Sequence, residues 1–240
     1  MQKRILLTSL FAVLLPTLSL ADTRPVVSVS LGSDRANVYS TKTITFITPF
    51  QNSYIGTNHY DTEPVIGLFL GGETTFLQNW AWQWGVSYFQ SSSFEEDGNV
   101  NQFANPAFNN FTYQYQIQSR RVSLEAKLSH AFRQIWHPYL SAGAGEAFND
   151  AYAYTETPLS SAAVPMSPSF AGHTTKSFTY SAGVGIDVDM AEHVRVGAGY
   201  RYVNLGNASL GVTPLQTGNH TISNSHLNTN EFLVQLTYIG

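Results

Sequence analysis

In the stretch Phe178-Thr179-Tyr180-Ser181-Ala182-Gly183-Val184-Gly185-Ile186-Asp187-Val188-Asp189-Met190, apolar or aromatic side chains hold every even position and small, polar or acidic ones every odd position. A period of two marks a strand whose faces meet different surroundings. After Ala191-Glu192-His193 the parity resumes, with Val194, Val196, Ala198, Tyr200 and Tyr202 against Arg195, Gly197, Gly199 and Arg201. Two such runs across a tight link read as an antiparallel hairpin. A three-residue turn sets Met190 opposite Val194, Asp189 opposite Arg195 and Val188 opposite Val196, so like faces align.

The same alternation extends outward. Leu68, Leu70, Phe76, Trp82, Trp84, Val86 and Tyr88 oppose Glu73, Gln83, Gly85 and Ser87 about a turn at Gln78-Asn79-Trp80. Val122, Leu124, Ala126 and Leu128 oppose Arg121, Glu125 and Lys127, and Phe232, Val234, Leu236 and Tyr238 oppose Glu231 and Gln235. Val27, Val29 and Leu31 near the start, and a run over 139–148, complete eight strands. Glu146 shares the parity of Leu140 and Ala142, which requires a bulge there or emergence above an apolar layer. Short links at 78–80, 133–137 and 191–193 alternate with long ones at 32–64, 91–112, 150–176 and 206–228, the long ones rich in Asn, Ser, Thr, Gly and Pro. Residues 43–47 read as an extra strand within the first long link. All long loops therefore lie at one end of the sheet, with both termini at the other.

The faces decide between two barrels. A ligand-binding soluble barrel turns its greasy face inward, whereas a transmembrane barrel turns it outward. Only 12% of the 240 residues are charged, about half the roughly 25% usual in soluble domains. Gly, Ser and Thr dominate the polar face, which suits a narrow interior. The greasy face carries no acidic or basic residue beyond His130 until Glu146. Phe76, Trp82, Trp84 and Trp136 gather beside the short turns, and Tyr88, Tyr113, Tyr200 and Tyr202 toward the long loops, as two lipid-interface girdles. The expected fold class is all-β, an eight-stranded antiparallel up-and-down transmembrane β-barrel with short periplasmic turns and four long extracellular loops.

Residues 1–21 read as a cleaved secretory signal peptide: Lys3 and Arg4, then an apolar core over 5–15, then Ser19-Leu20-Ala21. The barrel domain is then 22–240, with 10 basic against 16 acidic residues and a net charge of -6. That balance argues against nucleic acid. The absence of Cys excludes disulfides, thiolate metal sites and thiol catalysis.

The chain resembles the outer-membrane β-barrel family of the OmpA and opacity-protein type, eight-stranded barrels of Gram-negative envelopes. The resemblance rests on Asn109-Asn110-Phe111-Thr112-Tyr113-Gln114-Tyr115, on Phe178-Thr179-Tyr180 with Gly183 and Gly185, and on Arg195-Val196-Gly197-Ala198-Gly199-Tyr200. It spans essentially the whole mature chain. It implies export to the bacterial outer membrane, with outer-membrane lipid, lipopolysaccharide and the barrel assembly machinery as partners. The family often ends on an outward Phe; Tyr238 takes that place here, before Ile239-Gly240. A peptidoglycan-binding domain after the barrel is not expected.

Seven scattered His residues define no metal-ligand spacing, and no nucleophile elbow, phosphate loop or dinucleotide motif is present. No cofactor is expected. His220, Ser223 and Glu231 resemble the His, Ser and Glu of outer-membrane lipid A deacylases, but strand alternation sets His220 and Ser223 on opposite faces. The expectation is thus a non-enzymatic integral protein, structural to the envelope, whose surface loops contact a host or environmental ligand. A narrow pore and a deacylase-like enzyme are the alternatives. Glu73, Arg121, Glu125, Lys127, Asp187, Asp189, Arg195, Arg201 and Glu231 share the inward face and are expected to pair as an ionic plug, because an eight-stranded lumen is only side-chain wide.

Overall fold

Alternating side-chain faces need a closed backbone ladder if one face is to meet lipid, since hydrocarbon satisfies no free strand edge. The computed structural model describes residues 23–47, 50–159, 170–212 and 221–240; the leader expected at 1–21 lies outside them. Ten strands run in chain order: β1 Thr23–Asn37, β2 Thr41–Ile47, β3 Phe50–Gly56, β4 Tyr60–Leu77, β5 Trp80–Gln102, β6 Asn109–His130, β7 Trp136–Pro158, β8 His173–Ala191, β9 Val194–Ser209 and β10 Ser223–Ile239. Eight of them, β1 and β4 to β10, pair antiparallel with their neighbours, and β10 returns to β1 through Val26↔Ile239 to Ala36↔Thr229. The fold is an all-β, up-and-down barrel.

One expectation of detail stands and two are corrected. The extra strand over 43–47 is the core of β2, and it forms a hairpin with β3 that pairs onto the far end of β5. The three-residue turn is a two-residue turn at Glu192-His193: Ala191 pairs with Val194 and Met190 is bulged, while Asp189↔Arg195 and Val188↔Val196 stand. The β4–β5 turn is the same device, with Leu77 on Trp80 and Phe76 bulged. A two-residue link matches strand twist better than a three-residue one, and the bulge absorbs the odd residue.

The long links are also shorter than the sequence suggests. Strands β5, β6 and β7 are 22 or 23 residues long, about twice what a bilayer crossing needs. In β6 the odd positions stay inward throughout, from Phe111 to Ser129. Their chemistry changes with height: Ser119, Arg121 and Ser123 lie within the membrane-level lumen, but Phe111, Tyr113, Tyr115 and Ile117 are buried among apolar neighbours above it. Outside the bilayer the outer wall is wet and the interior must be greasy, so the hydrophobic pattern inverts without a change of register.

Outward residues of the lower half are exposed, among them Val29, Leu70, Leu124, Leu140, Val184 and Val234. Glu146 needs no bulge: Val122↔Glu146↔Phe178 is continuous ladder. It stands ten residues above Trp136, a climb of about 25 Å for a strand tilted by about 40°, the height of the apolar band. There its carboxylate meets Lys176 Nζ at 3.9 Å. The bulge in β7 falls higher, near Ala153, whose φ is 55°.

Val184 lies midway between Met190 and Phe178 on the lipid-facing side and is 51% exposed. Val184→Arg should lower the stability of the folded barrel by about 2 to 4 kcal/mol, while inward Thr179→Ser is mild. Refolding into lipid vesicles, followed by heat-modifiable gel migration, reads the difference; equal refolding of both variants would refute the lipid-facing placement.

Candidate functional site

The barrel interior is stacked in layers. Nearest the short turns, Arg195 bridges two carboxylates, its Nε donating to Asp189 Oδ1 at 2.7 Å and its Nη1 to Glu73 Oε2 at 2.6 Å. Gln83 donates to the same Glu73 oxygen at 2.7 Å, and Arg24 pairs with the other. His137 Nε2 lies 2.7 Å from Asp189 Oδ2. One layer up, Lys127 donates to Asp187 at 2.6 Å and sits 4.0 Å from the centre of the Tyr139 ring.

Above these, Glu231 is fully buried between two arginines. Arg201 Nη2 and Nε donate to its Oε2 at 2.7 and 2.9 Å, and Arg121 approaches both oxygens at 2.7 and 2.9 Å. Arg201 also reaches Glu125 at 2.8 Å, and both guanidinium groups lie on the Phe89 ring, at 3.9 and 4.5 Å. Such forked, charge-assisted contacts are the strong form of ion pair. A cavity of about 40 Å³ lies among Gln83, Phe89, Lys127, Tyr139, Arg201 and Gln235, room for a few waters.

All nine expected lumen charges face the interior and are paired there in three stacked groups: Arg195 with Asp189 and Glu73, Lys127 with Asp187, and Arg121, Arg201, Glu125 and Glu231 together. Sequence reading missed Arg24 and His137, at the edges of their strands, and Asp34, which falls beyond the short alternating run of Val27, Val29 and Leu31. Asp34 is buried opposite Glu231 in the β1–β10 register, its oxygens without hydrogen-bond partners.

Phe76, Trp84, Trp136, Tyr88 and Tyr200 project outward and are exposed, with Trp82 and Tyr202 half-buried on the same surface. Tyr113 is a correction. Its inward parity, at a height above the bilayer, buries it against Tyr115 and Tyr154 rather than in a lipid girdle.

Above the plug the interior is apolar, drawing Ile44 and Phe46 of β2, Tyr54 of β3, Phe94, Leu205 and Leu227 into one cluster. Glu96 is buried within it, accepting hydrogen bonds from Tyr115 Oη at 2.5 Å and Ser40 Oγ at 2.7 Å. At the far tip Phe50, Phe103 and Phe108 pack together with ring centres 6.1 and 5.7 Å apart, yet all three are exposed. No residue from 43 to 60 or from 98 to 119 is charged.

The deacylase-like trio is not assembled. Glu231 belongs to the lumen, and Ser223 Oγ, high on β10, accepts from Lys42 Nζ at 3.4 Å. His220 lies outside the described residues. No group of three metal-ligating side chains occurs among the described residues.

A family model for the outer membrane protein beta-barrel domain matches residues 5–239. The chain belongs to that family. This barrel is an integral protein of the bacterial outer membrane. No curated protein matches it. Among solved structures it is similar to OprG from Pseudomonas aeruginosa, at 12% identity over 91% of this chain and 97% of that one, with a TM-score of 0.48. It is also similar to Neisserial surface protein A (10%, 90% and 96%, 0.42) and to the outer membrane protease OmpT from Escherichia coli (10%, 92% and 98%, 0.42). Membership in the outer-membrane barrel family fixes architecture and place, and leaves activity to be argued from residues.

Two outcomes follow from the interior of this outer-membrane barrel. Glu231→Ala leaves Arg121 and Arg201 short of their shared buried partner and should cost about 3 to 5 kcal/mol, whereas Asp189→Ala, partly exposed and with Glu73 still on Arg195, should cost on the order of 1 kcal/mol. Urea unfolding in lipid vesicles ranks the two; the reverse order would refute the central role of Glu231. Burial pushes the Glu96 carboxyl above its ordinary value of 4.5, despite the hydrogen bonds from Tyr115 and Ser40 that favour its charged form. The folded state then holds this proton more tightly than the unfolded chain, so its contribution is full below pH 4.5 and fades as pH rises through the raised value. Glu96→Gln should flatten the fall in stability over that window, read from unfolding midpoints across pH; an unchanged slope would assign it elsewhere.

Proposed function

We propose that this outer-membrane barrel is non-enzymatic, structural to the envelope, and presents its extracellular end as a contact platform for a host or environmental ligand. The observation that carries this reading is the doubly filled interior, an ion-paired plug at membrane level and an apolar core above it. That filling supports a scaffold over the pore alternative. The exposed Phe50, Phe103 and Phe108 cluster, set in uncharged Asn- and Gln-rich strands, supports contact with an uncharged surface, because exposed aromatic patches of this kind are typical of interaction sites. Commitment of Glu231 to two arginines weighs against a deacylase, since a triad needs its acid free to orient the base.

Bacteria expressing Phe103→Ser with Phe108→Ser should adhere several-fold less to polystyrene and to epithelial monolayers than those expressing the parent barrel at equal surface level. Purified protein in planar bilayers should give no steady conductance, and overexpression should leave the lipid A mass spectrum unchanged. Unaltered adhesion would remove the platform; stable ion-selective channels would install the pore; an acyl chain lost from lipid A, and regained with Ser223→Ala, would install the enzyme.

A further inference from the structure

The wall formed by β1 and β10 changes chemistry with height. Lowest, Val27, Val29 and Leu31 of β1 and Phe232, Val234 and Leu236 of β10 face lipid. Next, Arg35 and Asn230 are cross-strand partners. With Tyr60, Tyr200 and Phe232 they line an outward hollow of about 370 Å³. The Arg35 guanidinium lies 4.5 Å from the Tyr60 ring centre, and among the described residues no carboxylate pairs with it. Other outward cations at this height are paired, Lys176 with Glu146 and Arg120 with Asp150.

Higher still, the wall opens. The β1–β10 ladder ends at Ala36↔Thr229, and β2, the next strand above β1, pairs with β3 alone. Between 37–42 and 223–228 lies a groove of about 660 Å³, lined by Asn37, Tyr39, Thr41, Lys42, Ser223 and Asn228 among others. It is rich in amides and hydroxyls, with the exposed Tyr39 ring, the exposed His226 imidazole and one lysine, whose Nζ crosses the groove to Ser223.

We propose that this strip binds a phosphorylated glycolipid of the outer leaflet, in the chemistry of lipopolysaccharide. The three zones follow the order of such a molecule: acyl chains on the apolar strip, phosphate on Arg35, sugar rings in the groove. A guanidinium stacked on an aromatic ring keeps its N–H fork free for a phosphate, and the contact is charge-assisted. Asparagine amides and hydroxyls match the donor and acceptor pairs of a sugar's neighbouring hydroxyls. An extended peptide laid between the free edges of β2 and β10 would use backbone groups and would ignore Arg35, which nothing else in the wall explains. The site depends on the outer-membrane location and not on the adhesive reading.

The test is native mass spectrometry of the full barrel in detergent micelles, titrated with rough lipopolysaccharide, with the same glycolipid after dephosphorylation, with lipid A lacking core sugars, and with inorganic phosphate. Heat-modifiability controls for folding. Arg35→Gln should weaken binding of the phosphorylated glycolipid about tenfold and leave the dephosphorylated form unaffected. Asn37→Ala with Asn228→Ala should weaken rough lipopolysaccharide but not lipid A. The proposal is overturned if Arg35→Gln binds the phosphorylated glycolipid like the parent, or if inorganic phosphate at equal concentration competes fully, which would reduce the site to a simple anion site. It is equally overturned if only a seam-closing Lys42→Cys, Ser223→Cys disulfide abolishes binding while Arg35→Gln is silent, the result expected of a peptide strand.

Discussion

Everything in the membrane-level half of this protein depends on the closure of eight strands into one ladder. Hydrocarbon offers no partner to a free N–H or C=O, so β10 must return to β1. Eight strands leave a lumen only as wide as the side chains that fill it. Large inward groups therefore stand opposite residues without a side chain. A Cβ on Gly185 or Gly199 would sit 2.4 or 2.3 Å from the Tyr139 hydroxyl, and one on Gly197 would sit 2.0 Å from Asp187. The same narrowness brings Glu231 against Arg121 and Arg201, where pairing is the condition for burying any of the three.

The bilayer surface imposes a second constraint. Strands β5 to β7 cross it without interruption, and their inward faces pass from Arg, Glu and Ser to Phe, Tyr and Ile. Lipid demands an apolar exterior and tolerates a polar, paired interior; water demands the reverse. The β2–β3 hairpin completes the upper wall, contributing Ile44, Phe46 and Tyr54 to its core. It also leaves the seam beside β10, because β2 pairs on one side only. Closure below and an opening above thus arise from one topology.

Much of this was legible along the chain. Parity through 178–202 and 122–128 gave the strands, their faces and the lumen charges, because within lipid the contrast between faces is strong and continuous. Legibility failed where the contrast inverts. The link read at 91–112 is largely strand, and so are the described residues of the link read at 150–176, since Gln and Asn outside with Tyr and Phe inside resemble a polar loop with scattered aromatics. Tyr113 was misplaced for the same reason: an aromatic near a long loop fits a girdle or a core equally until its height and parity are both known. Arg24, His137 and Glu96 join their networks through partners distant in sequence, and Asp34 is buried by its register opposite Glu231; no local pattern marks any of them.

By itself the sequence determined the class of fold, the lipid-facing surface and the destination in the outer membrane. These follow from a period of two and from which residue types water and hydrocarbon accept, properties local to each strand. The tertiary structure alone decided that the strands continue beyond the bilayer, that Glu231 holds two arginines from different strands, and that the Arg35 guanidinium lies on the Tyr60 ring with no carboxylate paired to it among the described residues. Each of those depends on register between segments far apart in the chain, and register is fixed only when the ring has closed.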